Sequence, residues 1–96
     1  PLPKYPSIKR DISMLIDDAI GASAIDEVIR KEGHELVKTI EVFDLYKGQQ
    51  IGESKKSIAY TIEYRSDEKT LKDEDVNHVH AKIQESLVKK LGVQIR

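Results

Sequence analysis

The chain has 96 residues, 39% hydrophobic and 34% charged, with a formal net charge of −1 and no cysteine. That length suits one domain with its own core, and the missing thiols exclude disulfides and thiolate metal sites. No apolar run approaches the ~18 residues of a membrane-spanning helix. A nearly balanced charge leaves polyanion binding to a local patch, not to a uniformly basic surface.

Residues 1–6, PLPKYP, hold all three prolines. Proline stiffens its own backbone and that of the residue before it, so this stretch reads as an extended arm or linker end entering a domain over residues 7–96. The sequence starts at Pro1 and its single methionine is Met14, so it reads as a piece of something longer. In SIKRDISMLID, Ile8, Ile12, Met14 and Ile16 alternate with Lys9, Asp11, Ser13 and Asp17, which predicts a first strand. Arg10 falls on the apolar parity, where it either snorkels out at the sheet's end or binds something.

The segment SAIDEVIRKEG puts Ile25, Val28 and Ile29 on one helical face. Ser23 is the expected N-cap, Asp26 and Glu27 fall early, Arg30 and Lys31 late, and Gly33 is the expected stop.

The stretch Ile40 to Arg65 then reads as two strands joined by KGQQIGESKK, a hairpin. From Ser57 to Arg65 the alternation is nearly perfect: Ile58, Tyr60, Ile62 and Tyr64 share one face, which must meet a core. Ahead of it, Ile40 and Val42 share one parity and Phe43 and Leu45 the other. Either both faces are covered or the register shifts near Val42, most simply by a β-bulge. If Phe43 and Leu45 point inward, Asp44 and Tyr46 face out. A hydrogen-bond acceptor beside a flat stacking surface suits recognition, though an ordinary amphipathic edge has the same spacing.

After the polar stretch SDEKTLKDED, Asp73 is the expected cap of a second helix. Its stripe is Val76, Val79 or His80, Ile83, Leu87 and Leu91, and Gly92 ends it. VQIR makes a short last strand. The order β-α-β-β-α-β predicts an α+β, ferredoxin-like sandwich, with a four-stranded antiparallel sheet and both helices on one face. The other face is solvated or used for binding.

Catalytic signals are missing. His78 and His80 lie about 200° apart around a helix and cannot share one ion. No nucleophile–base pair, GxxxxGK[ST] or GxGxxG occurs, and Gly48 and Gly52 sit in the hairpin connection instead of opening a helix. The first β–α connection, DDAIGAS, lacks an anion-cradling arginine. The domain therefore reads as noncatalytic and metal-free. An RNA-recognition motif would stack bases on open-face aromatics, whereas Tyr60 and Tyr64 face the helices. What remains is Tyr46 and Ser57 at adjoining strand ends, with Lys47, Lys55 and Lys56 available either for phosphates or merely for solvating the hairpin.

Three stretches, PSIKRDISMLID, FDLYKG followed by IGESKKSIAY, and TLKDEDVN, closely resemble the ferredoxin-fold anticodon-binding domain of bacterial phenylalanyl-tRNA synthetase beta subunits. The resemblance covers Tyr5 to Arg96. It implies a noncatalytic tRNA-binding part of a ligase whose beta subunit joins an alpha subunit in an (αβ)₂ assembly, with ATP and Mg²⁺ used by the parent enzyme and no cofactor here. It implies that Tyr46 stacks on an anticodon base of the tRNA for phenylalanine, that Asp44 accepts from a base edge, and that Ser57 adds a polar contact. Arg10, Lys47, Lys55 and Lys56 are its candidate RNA backbone contacts. Neither DNA nor membrane is an expected partner, and the expected location is the bacterial cytoplasm, with an organellar form open. The rival reading is a ferredoxin-like protein-interaction or regulatory module that uses the same open face or a sheet edge without RNA.

Overall fold

A computed structural model describes residues 4–47 and 54–96. Residues 1–3 of the predicted arm, and Gly48 and Gly52 of the hairpin connection, lie outside the described residues. The elements are β1 (Ile8–Asp17), α1 (Ala22–Gly33), a 3₁₀ turn (His34–Leu36), β2 (Val37–Tyr46), β3 (Lys55–Tyr64), α2 (Asp73–Leu91) and β4 (Gln94–Ile95). The sheet order is β2-β3-β1-β4, and every neighbouring pair is antiparallel. This is the expected ferredoxin-like α+β arrangement.

Alternation decides which face meets the helices. Ile12, Met14 and Ile16 of β1 and Ile58, Tyr60, Ile62 and Tyr64 of β3 are all buried. They pack with Ile25, Val28 and Ile29 of α1 and Val76, Ile83 and Leu87 of α2 in one cluster. Tyr64 is fully enclosed, and its hydroxyl lies 2.9 Å from Nδ1 of His80, a helix-packing histidine.

Both predicted helix caps are corrected. The N-cap of α1 is Gly21, with no side-chain cap, so Ser23 is already inside the helix. The N-cap of α2 is Lys72, whose amide donates to the Asp75 carboxylate at 3.1 Å, while Asp73 is the first helical residue. Asp73 to Asp75 still place negative charge where the helix dipole favours it. Gly92 ends α2 as expected, at φ 66 in the left-handed region. Gly33 is the last residue of α1, as expected, but its backbone is right-handed. The chain leaves the helix at the next residue, His34, at φ 51, while Gly33 itself, at φ −84, is a site of close approach where a Cβ would run into Cγ2 of Val37.

The parity break in β2 is a register shift between Val42 and Asp44, with a second between Val37 and Thr39. With Phe43 as the extra residue, Asp44 pairs with Ala59 and Tyr46 with Ser57. Paired residues point to the same side of a sheet, so Asp44 and Tyr46 take the open face while Ile40, Val42 and Leu45 take the helix side. Inward burial of Phe43 and Leu45 does not follow. They are 57% and 53% exposed, because the helices do not extend beneath this end of β2.

Candidate nucleic-acid interface

The outer end of the open face is built from four strands. β2 supplies Asp44 and Tyr46, β3 supplies Ser57 and Ala59, β1 supplies Leu15 and Ser13, and β4 supplies Gln94. Arg96 follows Gln94 on the same parity, and its backbone amide donates to the carbonyl of Ser13 at 2.8 Å. At ~4.8 Å between strands, the patch spans about 14 Å. Its floor combines the small residues Ser57, Ala59 and Ser13 with Leu15, and its rims are Tyr46 on one side and Arg96 on the other.

Tyr46 is 47% exposed beside the short side chain of Ser57, so little overhangs its ring. Such a surface accepts a flat base, and the Asp44 carboxylate two residues away on the same edge offers acceptors to a base's amino or imino hydrogens. The Arg96 guanidinium reaches back over β1 and donates to Oγ of Ser57 at 3.2 Å. That is the contribution the sequence reading missed: a cation that the topology delivers to the same patch from the last strand.

The structure brings Asp44, Tyr46 and Ser57 together and separates the basic candidates. Lys55 pairs with Asp17 in the ladder and shares the open face. Lys56 pairs with Ile16, on the helix side, and donates to the carbonyls of Ile20 at 2.8 Å and Asp18 at 3.4 Å. Lys47 forms an ion pair with the Asp18 carboxylate at 3.1 Å. Arg10 lies at the far end of β1 on the helix side, where it contacts Asp73 at 3.3 Å, so it does not join the patch.

The inner end of the open face is different. Asp11, Glu41 and Glu63 stand there with Lys9, Arg65 follows Glu63 on the same parity and contacts Asp67 at 3.5 Å, and Thr61 and Thr39 donate to Asp11 and Glu63 at 2.8 and 3.2 Å. Three carboxylates beside Lys9, with Arg65 held by Asp67, make the inner end a poorer seat for a polyanion, so a nucleic acid lying on the sheet is directed to the outer end. Among the described residues, no group of three or more His, Asp or Glu side chains converges into a metal site. No helix among them is long and apolar enough to cross a membrane.

The family model described as the ferredoxin-fold anticodon binding domain matches residues 3–96. The chain is similar to the phenylalanine–tRNA ligase beta subunit of Clostridium tetani, 44% identical over 95 residues, which cover 99% of this chain and 12% of that protein. The corresponding subunit of Listeria monocytogenes is 42% identical over 96 residues, covering 100% of this chain and 12% of that protein. That of Geobacillus kaustophilus is 38% identical over the same span, again 12% of its length. The chain thus spans about one-eighth of the length of the curated relatives it matches. With the predicted topology present and the match running from residue 3 to the last residue, the chain belongs to the ferredoxin-fold anticodon-binding domain family.

Proposed function

We propose that this chain is the anticodon-binding domain of a phenylalanine–tRNA ligase beta subunit. In this reading it holds the anticodon loop of the tRNA for phenylalanine while an alpha subunit carries out the ATP- and Mg²⁺-dependent aminoacylation. Residues 1–6 join it to the preceding part of the subunit, within an (αβ)₂ assembly working in the cytoplasm. The observation that carries the reading is the convergence of Asp44, Tyr46 and Ser57 on one open, shallow patch at the outer end of the sheet's open face.

The roles follow from the chemistry. Tyr46 stacks on an anticodon base, Asp44 accepts hydrogen bonds from a base edge, and Ser57 with Arg96 supplies a hydroxyl and a guanidinium across the trough. Lys55, on the same face, is placed to approach the RNA backbone. One stacked base contributes about 1–3 kcal/mol, and a domain of net charge −1 gathers few phosphates. The isolated domain therefore binds free tRNA weakly, and affinity is assembled with the rest of the ligase through effective concentration.

The test is aminoacylation by the full ligase carrying Tyr46→Ala, on wild-type tRNA and anticodon variants, with phenylalanine activation assayed separately. The expected result is a loss of about 1–3 kcal/mol in tRNA-dependent kcat/KM, with activation intact and anticodon discrimination flattened. Unchanged charging and discrimination would make Tyr46 a surface residue and move the domain to the protein-interaction reading.

A further inference from the structure

We infer that Asp18 is a positioning residue for the anticodon face. Its carboxylate acts through Lys47 and its main-chain carbonyl through Lys56, the lysines that adjoin Tyr46 and Ser57, and those lysines are ties within the fold rather than phosphate contacts. The inference rests on the reading above for its functional consequence and on geometry alone for its structural one.

The β1–α1 connection is a tight turn folded on its own side chain. Oδ1 of Asp17 accepts from the amide of Ala19 at 2.8 Å, and the amide of Ile20 donates to the Asp17 carbonyl at 3.0 Å. From this turn, Asp18 reaches both strands of the hairpin. Its amide donates to the carbonyl of Ser54 at 2.7 Å, just before β3, and its carboxylate pairs with Lys47 at 3.1 Å, just after β2. Lys56 returns from β3 to the same turn, donating to the carbonyls of Ile20 and Asp18.

Parity explains why these lysines serve the fold. Lys56 pairs with Ile16, a core residue, so its stem leaves the sheet on the helix side, away from the face that carries Tyr46. Its ammonium, already satisfied by two carbonyls, would have to give them up to reach a phosphate. The outer end of β2 also needs a restraint. Val42, Phe43 and Leu45 are 48%, 57% and 53% exposed, so no packed core fixes the backbone under Tyr46. A turn bonded to both strands supplies that restraint and lowers the ordering cost when a base stacks on the ring.

The two roles for these lysines predict opposite salt behaviour. The experiment uses the full ligase with Asp18→Asn, Lys47→Met and Lys56→Met, each in the Tyr46 and the Tyr46→Ala background. It reads tRNA-dependent kcat/KM against salt, and hydrogen exchange in segments 40–47 and 54–60. A positioning role gives a loss of about fivefold with Tyr46 present and under about twofold without it, because the effects share one path. The slope of log kcat/KM against log salt stays at its wild-type value, and exchange in the two segments speeds up while α2 keeps its protection. A drop in that slope of about 0.7–0.9 per lysine removed, with equal losses in both backgrounds, would overturn the inference and make the lysines phosphate contacts. Unchanged exchange in all three variants would overturn it as well. Lys47→Met removes one tie without touching the turn, so a misfolded Asp18 variant does not decide the matter. If Tyr46→Ala alone leaves charging intact, the anticodon reading fails, and the exchange data still decide whether Asp18 holds the hairpin.

Discussion

The two halves of β2 are one strand on one ladder, yet they live in different surroundings. From Val37 to Glu41 the helix side is covered: Val37 is 5% exposed and Ile40 packs against the core. From Val42 to Tyr46 every residue is exposed. The ladder to β3 runs through both halves, to the pair Tyr46 and Ser57. Burial thus holds the first half, whereas backbone hydrogen bonds and the Asp18 turn hold the second. A strand continued past its core can give its residues to a ligand, because their removal costs the fold little.

The largest effect should come from that contrast in burial. Ile62 is fully buried and pairs with Ile40 in the covered half, so Ile62→Ala is expected to cost about 2–5 kcal/mol in denaturant unfolding. Leu45→Ala, on the same side of the sheet but half exposed, should cost less than about 1 kcal/mol. Similar costs at the two positions would erase the distinction between the halves.

On the open face the order reverses. Tyr46→Ala should remove about 1–3 kcal/mol from tRNA-dependent kcat/KM, while Glu41→Gln, on the same face of the covered half, should leave it within about 0.5 kcal/mol. A comparable loss at Glu41 would extend the interface over the whole sheet. Arg96→Gln is expected to fall between them, at about 1 kcal/mol, because it removes a charged hydrogen-bond donor from the trough. Restoration of most of that loss by Arg96→Lys would reduce the guanidinium to a point charge.

Much of this was legible in the sequence because one-sided burial writes itself as alternation. Ile58, Tyr60, Ile62 and Tyr64 could be assigned to a core without coordinates, and the clash of parities between Val42 and Phe43 foretold the register shift that turns Asp44 and Tyr46 outward. Lys56 shares parity with Ile58, so the signal that it leaves on the helix side was present and was outweighed by its charge. Arg96 left no such signal. Its contact with Ser57 spans 39 positions in the chain and exists only because β4 lies beside β1. Ser23 and Asp73 misled for a simpler cause: an oxygen-bearing side chain near a helix start is a common cap, but the backbone begins these helices at Gly21 and Lys72.

The covered half also carries the smallest expected effect, a dependence of stability on pH. Tyr64 pairs with Val37 at the start of β2, and its hydroxyl meets Nδ1 of His80 with the rings edge to face at 5.9 Å. Burial is the main reason that the pKa of His80 lies below its ordinary value, with the nearby Arg10 guanidinium adding to the shift and Asp11 opposing it. Burial likewise pushes the Tyr64 hydroxyl up, so it stays protonated beside the neutral ring. The unfolded chain binds a proton on this histidine near pH 6.5 and the folded chain only below that. Stability is therefore full above about pH 6.5 and declines as pH falls from there through the folded value. The slope should be shallow, because the ring is only half buried, and it should be reduced in His80→Gln, which keeps an acceptor for Tyr64 without titrating. Urea midpoints at pH 7.5 and 5.5 check this in both forms, and hydrogen exchange locates it: acid should loosen Val37 to Glu41 before Val42 to Tyr46. Loosening that starts at Tyr46 would mean that the exposed half depends on the covered one for more than its ladder.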